Sequence, residues 1–184
     1  MKRRLAFFLD SLANGETSEP VDLSKFTTPS VPPMKESWTS YLLGIARAVA
    51  EKSKDPRTKV GAIAVDRDNF VKSTGFNGIP IGVVDLPSRY TPEEKGDWVA
   101  HGEENLVASA ARLVLEGATV VTTHEPCVRC ARLLIQAGVK RVIVGPGALH
   151  MRNNNPESFA RARVMFAEAG VVCQHVEGES DAAR

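Results

Sequence analysis

The chain has 184 residues, of which 43% are hydrophobic, and 23 Lys and Arg stand against 22 Asp and Glu for a net charge of +1. That is room for one domain of ordinary size with a core of its own. No apolar run is long enough to cross a membrane, and the longest basic run is Lys2-Arg3-Arg4. The sequence therefore speaks against a membrane span and against a nucleic-acid polymer as the main partner.

Residues 5–12 follow the basic triplet, but their apolar stretch is short and is broken by Asp10. With no small-residue cleavage site after it, this reads as a short amphipathic helix of a cytoplasmic protein and not as a secretion signal. Residues 14–35 contain Pro20, Pro29, Pro32 and Pro33 and read as an irregular arm. Trp38, Leu42, Ile45 and Val49 recur at helical spacing, so residues 37–53 are expected to be an amphipathic helix. Residues 60–65 and 70–76 are short β-type runs around the turn-forming cluster 66–69, a hairpin. Residues 79–98 read as loop.

From Gly102 the pattern is helical again, with Leu106, Val107, Ala110, Leu113 and Val114 on one face and Gly117 as the stop. Then follow a strand at 118–122, a helix at 127–137 and a strand at 141–144. A helix at 156–169 and a strand at 171–176 complete the series, and the residues after 176 form a polar tail. Strands alternating with helices of this length imply crossover units and a largely parallel sheet covered on both faces.

Three cysteines, an odd number, argue for metal or catalytic use over a disulfide framework. Two of them, Cys127 and Cys130, form a C-x-x-C pair after Pro126, and His101 with Glu103 forms H-x-E upstream. H-x-E followed by P-C-x-x-C is the known signature of zinc-dependent nucleobase deaminases. The chemistry explains the pattern. Two thiolates in the first turn of a helix converge on one ion and are favoured by the positive helix end. His101 supplies a third ligand. Structural zinc sites fill all four positions with protein, whereas a catalytic site leaves one for water. Glu103 stands beside that position as general acid and base: it takes the proton of the water, passes it to N3 of a cytosine and then protonates the departing amine. His124 could close the site as a fourth ligand, but Glu125-Pro126 should carry the chain away from the helix end. Cys173 reads as a buried small hydrophobe, His175 as a strand-end residue, and His150 as a loop residue that could touch substrate.

Residues 38–176 resemble the deoxycytidylate deaminases, the nucleotide branch of the cytidine deaminase superfamily. The likeness extends beyond the metal motif to Ser53-Lys-Asp-Pro-Arg-Thr-Lys-Val-Gly-Ala, Gly75-Phe-Asn-Gly-Ile-Pro-Ile-Gly, Asp85-Leu-Pro-Ser-Arg and Trp98-Val-Ala-His-Gly-Glu-Glu-Asn. It implies a three-layer αβα sandwich around a mixed five-stranded sheet. Residues 1–35 then stand as an N-terminal helix and arm, 36–176 as the deaminase domain and 177–184 as the tail.

The resemblance further implies Zn2+ as cofactor and hydrolysis of deoxycytidylate to deoxyuridylate and ammonia, the precursor step for thymidylate. It places Asn77 on the sugar hydroxyl, which an amide can both donate to and accept from; the other reading of Asn77 is a left-handed turn residue before Gly78. Gly102 stands where the family usually has Ala, with its N–H kept for substrate. Arg57, Lys59 and Arg89 are candidates for the 5′-phosphate, with Arg152 in reserve, and Asn105 is a brace for the site. Trp98 is read as packing, with stacking on substrate as the alternative. A homo-oligomer, a hexamer in several family members, is implied too, as are dCTP and dTTP as effectors, with Arg112 as a contact. The rival readings are a nucleoside or nucleobase deaminase for cytidine, cytosine or guanine, a tRNA or single-stranded DNA editing deaminase, and a structural zinc domain.

Overall fold

A computed structural model describes residue 32, residues 34–147 and residues 155–176; the expected N-terminal helix, the arm through residue 31 and the polar tail lie outside the described residues. In chain order the elements are α1 (Glu36–Ala50), β1 (Gly61–Val65), β2 (Val71–Phe76), a 3-10 turn (Pro87–Tyr90) and α2 (Lys95–Trp98). They continue with α3 (Gly102–Ser109), α4 (Arg112–Leu115), β3 (Thr119–His124), α5 (Val128–Gln136), β4 (Arg141–Gly147), α6 (Pro156–Glu168) and β5 (Val172–His175).

Alternation along the central strands decides the layering. Ala62 and Ala64 of β1, Val120 of β3, and Val142 and Val144 of β4 face one side; Ile63, Val65, Val121 and Ile143 face the other. All nine are fully buried, so both faces of the sheet must be covered. Leu42, Leu43 and Ala46 of α1 cover one. Leu106 of α3, Leu134 of α5 and Phe166 of α6 cover the other. The sheet runs β2-β1-β3-β4-β5. β1 is antiparallel to both β2 and β3, while β3, β4 and β5 are parallel. The three-layer sandwich and its mixed five-stranded sheet are thus present. The crossover argument alone overstated the parallel share, because the first two strands form a hairpin. That hairpin turns at Asn69, which is left-handed at φ 67°, and Asp66 Oδ1 accepts the N–H groups of Asp68 and Phe70 at 2.9 and 3.0 Å.

Two expectations need correction. The helix read from Gly102 to Gly117 is broken: Ala110 is extended at φ −106°, ψ 141°, and the chain restarts as α4. Leu106 and Leu115 lie about half a helical turn out of phase in an unbroken helix, yet both are fully buried in the same cluster. The break resets the phase so that both reach one core. Within residues 79–98, read as loop, lie the 3-10 turn and α2.

Glycine lets α1 and α3 press onto the hairpin. A Cβ at Gly61 would lie 2.1 Å from Ala46 O, and one at Gly75 would lie 2.2 Å from Gly102 O and 2.3 Å from Leu106 N. Both obstacles are backbone and cannot swing aside. Since α3 carries His101 and Glu103 at its start, Gly75 sets how close the site sits to the sheet. Gly75→Ala is expected to cost about 1–3 kcal/mol or more, a fall in Tm of roughly 5–10 °C. Gly44→Ala, in open space on α1, should hold or raise Tm. Thermal unfolding of the two variants checks this.

Candidate metal centre and its pocket

The two helices that follow the motif residues both aim their N-terminal ends at one point. His101 is the residue immediately before α3 and Cys127 the residue immediately before α5; both are extended, and Cys130 lies in the first turn of α5. Extended backbone ahead of a helix points the side chain toward the exposed N–H groups of the first turn, where negative charge is favoured. The sulfurs of Cys127 and Cys130 are 3.8 Å apart, and His101 Nδ1 lies 3.6 Å from the first and 3.3 Å from the second. Zinc with Zn–S of about 2.3 Å and Zn–N of about 2.0–2.1 Å at tetrahedral angles needs sulfurs about 3.8 Å apart and sulfur–nitrogen edges near 3.5 Å. The triangle fits. Among the described residues no fourth His, Cys, Asp or Glu joins the cluster. His124 instead has its Nδ1 2.8 Å from Thr123 Oγ1.

Electrostatics follow from crowding. Two thiols this close share a proton: hydrogen bonding from Cys130 and His101 brings the Cys127 thiol down to about 3, and the Cys130 thiol is pushed up as the donor of that pair and by burial. The bond to Cys127 and the nearby Glu103 charge outweigh burial and raise His101. Glu103 is buried beside this set, 3% exposed, with Oε2 3.4 Å from Cys130 Sγ and Oε1 accepting from Thr122 Oγ1 at 3.3 Å. Burial lifts its carboxyl above the usual carboxylate range, the direction a group that both takes and returns a proton requires.

The cluster forms one wall of an inner hollow of about 90 Å³. Val60, Val99 and Phe159 supply apolar wall, and Asp55, Asn77 and Lys95 supply polar wall. The hollow shares Thr58, Lys95, Gly96, His101, Cys127 and Phe159 with an outer cavity of about 660 Å³. That outer cavity carries Arg57, Lys95, Arg129 and Arg132.

Residues 36–146 match the family model of the cytidine and deoxycytidylate deaminase zinc-binding region. The deoxycytidylate deaminases of Mus musculus and Homo sapiens are each 36% identical to the chain over 140 residues, covering 73% of it and 76% of theirs. A probable deoxycytidylate deaminase of Caenorhabditis elegans is 42% identical over 131 residues, 69% of this chain and 64% of that one. The chain belongs to this deaminase family. Its fold matches that of the dCMP deaminase of cyanophage S-TIM5 in complex with dCMP and dUMP, with a TM-score of 0.60, 24% identity, and coverage of 78% of this chain and 100% of that one. The deaminase is a zinc-dependent hydrolytic enzyme, and His101, Cys127 and Cys130 are positioned so that they could hold a metal ion.

Residues without chemistry of their own hold the deaminase's site in place. Glu104 accepts the His101 N–H at 2.7 Å and pairs with Arg129 of α5 at 3.0 Å, so one carboxylate ties together the two helix starts that carry the ligands. Glu125 takes both arms of Arg163 from α6, at 2.6 and 2.9 Å, and Ser158 Oγ accepts the Val128 N–H at 3.1 Å. These fix the turn from β3 into Cys127. Sequence alone did not single out Glu104, Arg129, Ser158, Phe159, Lys95 or Arg132, since each reaches the site only through packing.

The expected substrate residues fall in different places. Asn77 lines the inner hollow, and its φ is not left-handed. Its Oδ1 accepts Val60 N–H at 2.7 Å and its Nδ2 donates to Thr58 O at 2.9 Å. Gly102 is buried, and a methyl there would meet Val60 at 3.3 Å, a tight fit. Arg57 lines the outer cavity, but Lys59 pairs with Glu51 at 2.9 Å and faces a different cavity. Arg89 lies 3.8 Å over the Trp98 ring, so Trp98 packs against a cation. Asn105 braces β2 by donating to Phe76 O at 2.7 Å. Cys173 is only half-buried, 3.8 Å from His175 Nε2, because β5 is the edge strand. His175 ends that strand, half-exposed beside Glu125. The side chain of Arg112, and His150 and Arg152 altogether, lie outside the described residues.

Ligation requires both thiols as thiolates, and the Cys130 thiol keeps its proton when unligated, so zinc uptake releases at least that proton. His101 must also be neutral to ligate and is raised above its ordinary value, so apparent zinc affinity is expected to fall at least tenfold for each unit of acidification from pH 8 to pH 6, and more steeply where the imidazole is protonated. Competition against a chelator of known affinity measures it, and Cys130→Ala should lose the metal at every pH.

Proposed function

We propose that this deaminase acts on deoxycytidylate, converting its C4 amine to a carbonyl and giving deoxyuridylate and ammonia. The observation that carries the reading is a hollow of about 90 Å³ lined by His101, Cys127 and Glu103, sharing a wall with a cation-lined cavity. A small uncharged ring suits the first and a phosphate suits the second. Relatives named deoxycytidylate deaminase support it, as does the dCMP and dUMP complex of the phage structure.

The zinc, when bound, supplies a water whose pKa is lowered toward neutrality. The rest is the work of the chain. Glu103 would take a proton from the water as its oxygen bonds to C4 and deliver it to N3 of the ring; it would then take the remaining proton of the new C4 hydroxyl and give it to the amine as the C4–N bond breaks, leaving a C4 carbonyl and ammonia. Thr122 keeps one Glu103 oxygen occupied, which leaves the other toward the reacting side. Val60, Val99 and Phe159 exclude water from the ring. Asn77, held by Val60 and Thr58, keeps one lone pair of Oδ1 for a sugar hydroxyl.

For the phosphate the reading rests on Arg57 and Arg132. Of the other two cations at the mouth, Lys95 is bound to Asp55 at 2.9 Å and Arg129 to Glu104. The same reading includes a homo-oligomer under dCTP and dTTP control. Exposed Ile81, Val84 and Leu86 in one loop give apolar surface for contact between copies; the mass in solution decides it.

Steady-state kinetics on deoxycytidylate and deoxycytidine test the assignment. Wild type is expected to favour the nucleotide. Arg57→Ala and Arg132→Ala should each lower kcat/KM on the nucleotide roughly ten- to a hundredfold while leaving the nucleoside nearly unchanged. Glu103→Gln should keep zinc but lose ~10⁴-fold in kcat on either substrate. Equal rates on nucleotide and nucleoside in wild type would move the assignment to a nucleoside deaminase.

A further inference from the structure

The inner hollow and the outer cavity meet at a wall of Thr58, Lys95, Gly96, His101, Cys127 and Phe159. A nucleotide with its ring in the first and its phosphate in the second must lay its sugar along that wall. His101 and Cys127 belong to the metal triangle, Gly96 has no side chain, and Phe159 is apolar. Thr58 is engaged through its backbone, its N–H donating to Asp55 Oδ1 at 3.0 Å and its carbonyl accepting from Asn77 Nδ2 at 2.9 Å. That leaves Lys95. Among the described residues no other Lys or Arg lines the hollow.

The partner that holds Lys95 there is a costly one for stability. Lys95 Nζ donates to Asp55 Oδ2 at 2.9 Å, and the Asp55 side chain is fully buried. The pairs Lys54–Asp85, Lys59–Glu51 and Lys72–Asp66 each leave more than a quarter of both side chains exposed. Burying a carboxylate removes it from water, and a well-packed apolar pair of similar volume commonly stabilises a fold as well or better. Stability alone therefore does not account for this pair.

Its geometry does. Asp55 Oδ1 accepts the N–H groups of Arg57 and Thr58 at 2.9 and 3.0 Å, which fixes how the carboxylate is turned. Oδ2, the oxygen that takes Lys95, also accepts from Asn77 Nδ2 at 3.4 Å. One carboxylate oxygen thus brings the Lys95 ammonium and the Asn77 amide side by side at the hollow. Their remaining capacities are complementary. Asn77 Oδ1 keeps a lone pair after accepting the Val60 N–H, and the ammonium keeps two of its three donors after Asp55. One group accepts and the other donates, which is what a single hydroxyl needs. In a 5′-nucleotide of deoxyribose the free hydroxyl is the 3′ one.

We propose that Lys95 is a specificity-determining residue that donates to the sugar 3′-hydroxyl while Asn77 accepts its proton, and that Asp55 is the positioning residue that keeps both groups on it. The inference rests on the reading of the substrate as a deoxycytidine compound, and it holds with or without the 5′-phosphate.

The test is steady-state kinetics of the full-length zinc enzyme on two matched pairs: deoxycytidylate against 2′,3′-dideoxycytidylate, and deoxycytidine against 2′,3′-dideoxycytidine. Wild type is expected to lose roughly ten- to a hundredfold in kcat/KM in each pair when the 3′-hydroxyl is removed. Lys95→Met should lose about that factor on the hydroxyl-bearing member and little on the dideoxy member, so that the discrimination collapses. Because that change leaves Asp55 buried without its cation, Asp55→Asn with Lys95→Met, which removes both charges, is measured beside it, with zinc content and Tm as checks on folding. Asp55→Asn alone should cut the discrimination severalfold, an effect that a merely structural role would not produce. Arg57→Ala with Arg132→Ala should leave the discrimination as it is in wild type. The proposal is overturned if wild type handles both members of a pair equally, if Asp55→Asn with Lys95→Met depresses both members alike, or if that variant changes the ratio of nucleotide to nucleoside instead. Equal rates on nucleotide and nucleoside in wild type, with the 3′ discrimination intact, would end the nucleotide assignment and leave this one standing.

Discussion

Two thiols and an imidazole held within 3.3–3.8 Å of one another make a cluster that asks for a cation. Two thiolates at that separation repel strongly in a buried setting, and the chain meets this by placing both at the positive end of α5. The same demand organises what surrounds them. α3 must begin where α5 begins, so Glu104 and Arg129 bind the two starts together. The turn out of β3 must be rigid, so Glu125 is clamped by Arg163 and α5 is capped from outside by Ser158. α3 must lie close to the sheet, so β2 has glycine at Gly75. Each is a positional constraint on a metal-binding triangle.

The pocket beside the triangle divides its work by depth. Glu103 sits at the bottom, where burial favours its protonated form. One layer out, Asp55 is fully buried as well, yet its carboxyl is held below the usual range. Burial alone would push it up, but Lys95 and the N–H groups of Arg57 and Thr58 outweigh that. Two buried carboxyls thus have opposite character: Glu103 is poised to exchange a proton, and Asp55 remains charged and fixes Lys95, Asn77 and the loop at 55–58 around the hollow. Farther out the arginines collect at the mouth, where solvent lowers the cost of an unpaired charge. The progression from a buried carboxyl to exposed cations is what the proposed reading needs, in which a nucleotide enters ring first with its phosphate trailing.

The chemistry of the centre could be read directly from the amino-acid order. His101, Glu103, Cys127 and Cys130 are each adjacent to a helix start, and a ligand's type and its distance from its neighbour in the chain survive any change in packing. The strands were legible for a similar reason, since their two-residue alternation records which side chains are buried. The cations at the pocket were not legible. Arg57, Lys59 and Arg89 stand in equally suggestive segments, yet only Arg57 reaches the cavity; Lys59 turns to Glu51 and Arg89 to Trp98. Long basic side chains sweep a wide volume, and their destination is set by whichever partner folding brings near. Nor could sequence place the break at Ala110, which depends on Leu106 and Leu115 sharing one core. Motif spacing and strand alternation determined that this chain builds a zinc-dependent deaminase on a sheet covered on both faces, because ligand identity and strand alternation are local properties; that the sheet is mixed was implied by the family resemblance and not by spacing. Only the tertiary structure decided which arginines face the outer cavity and which residues brace the metal-binding triangle, because those contacts join segments far apart in the chain.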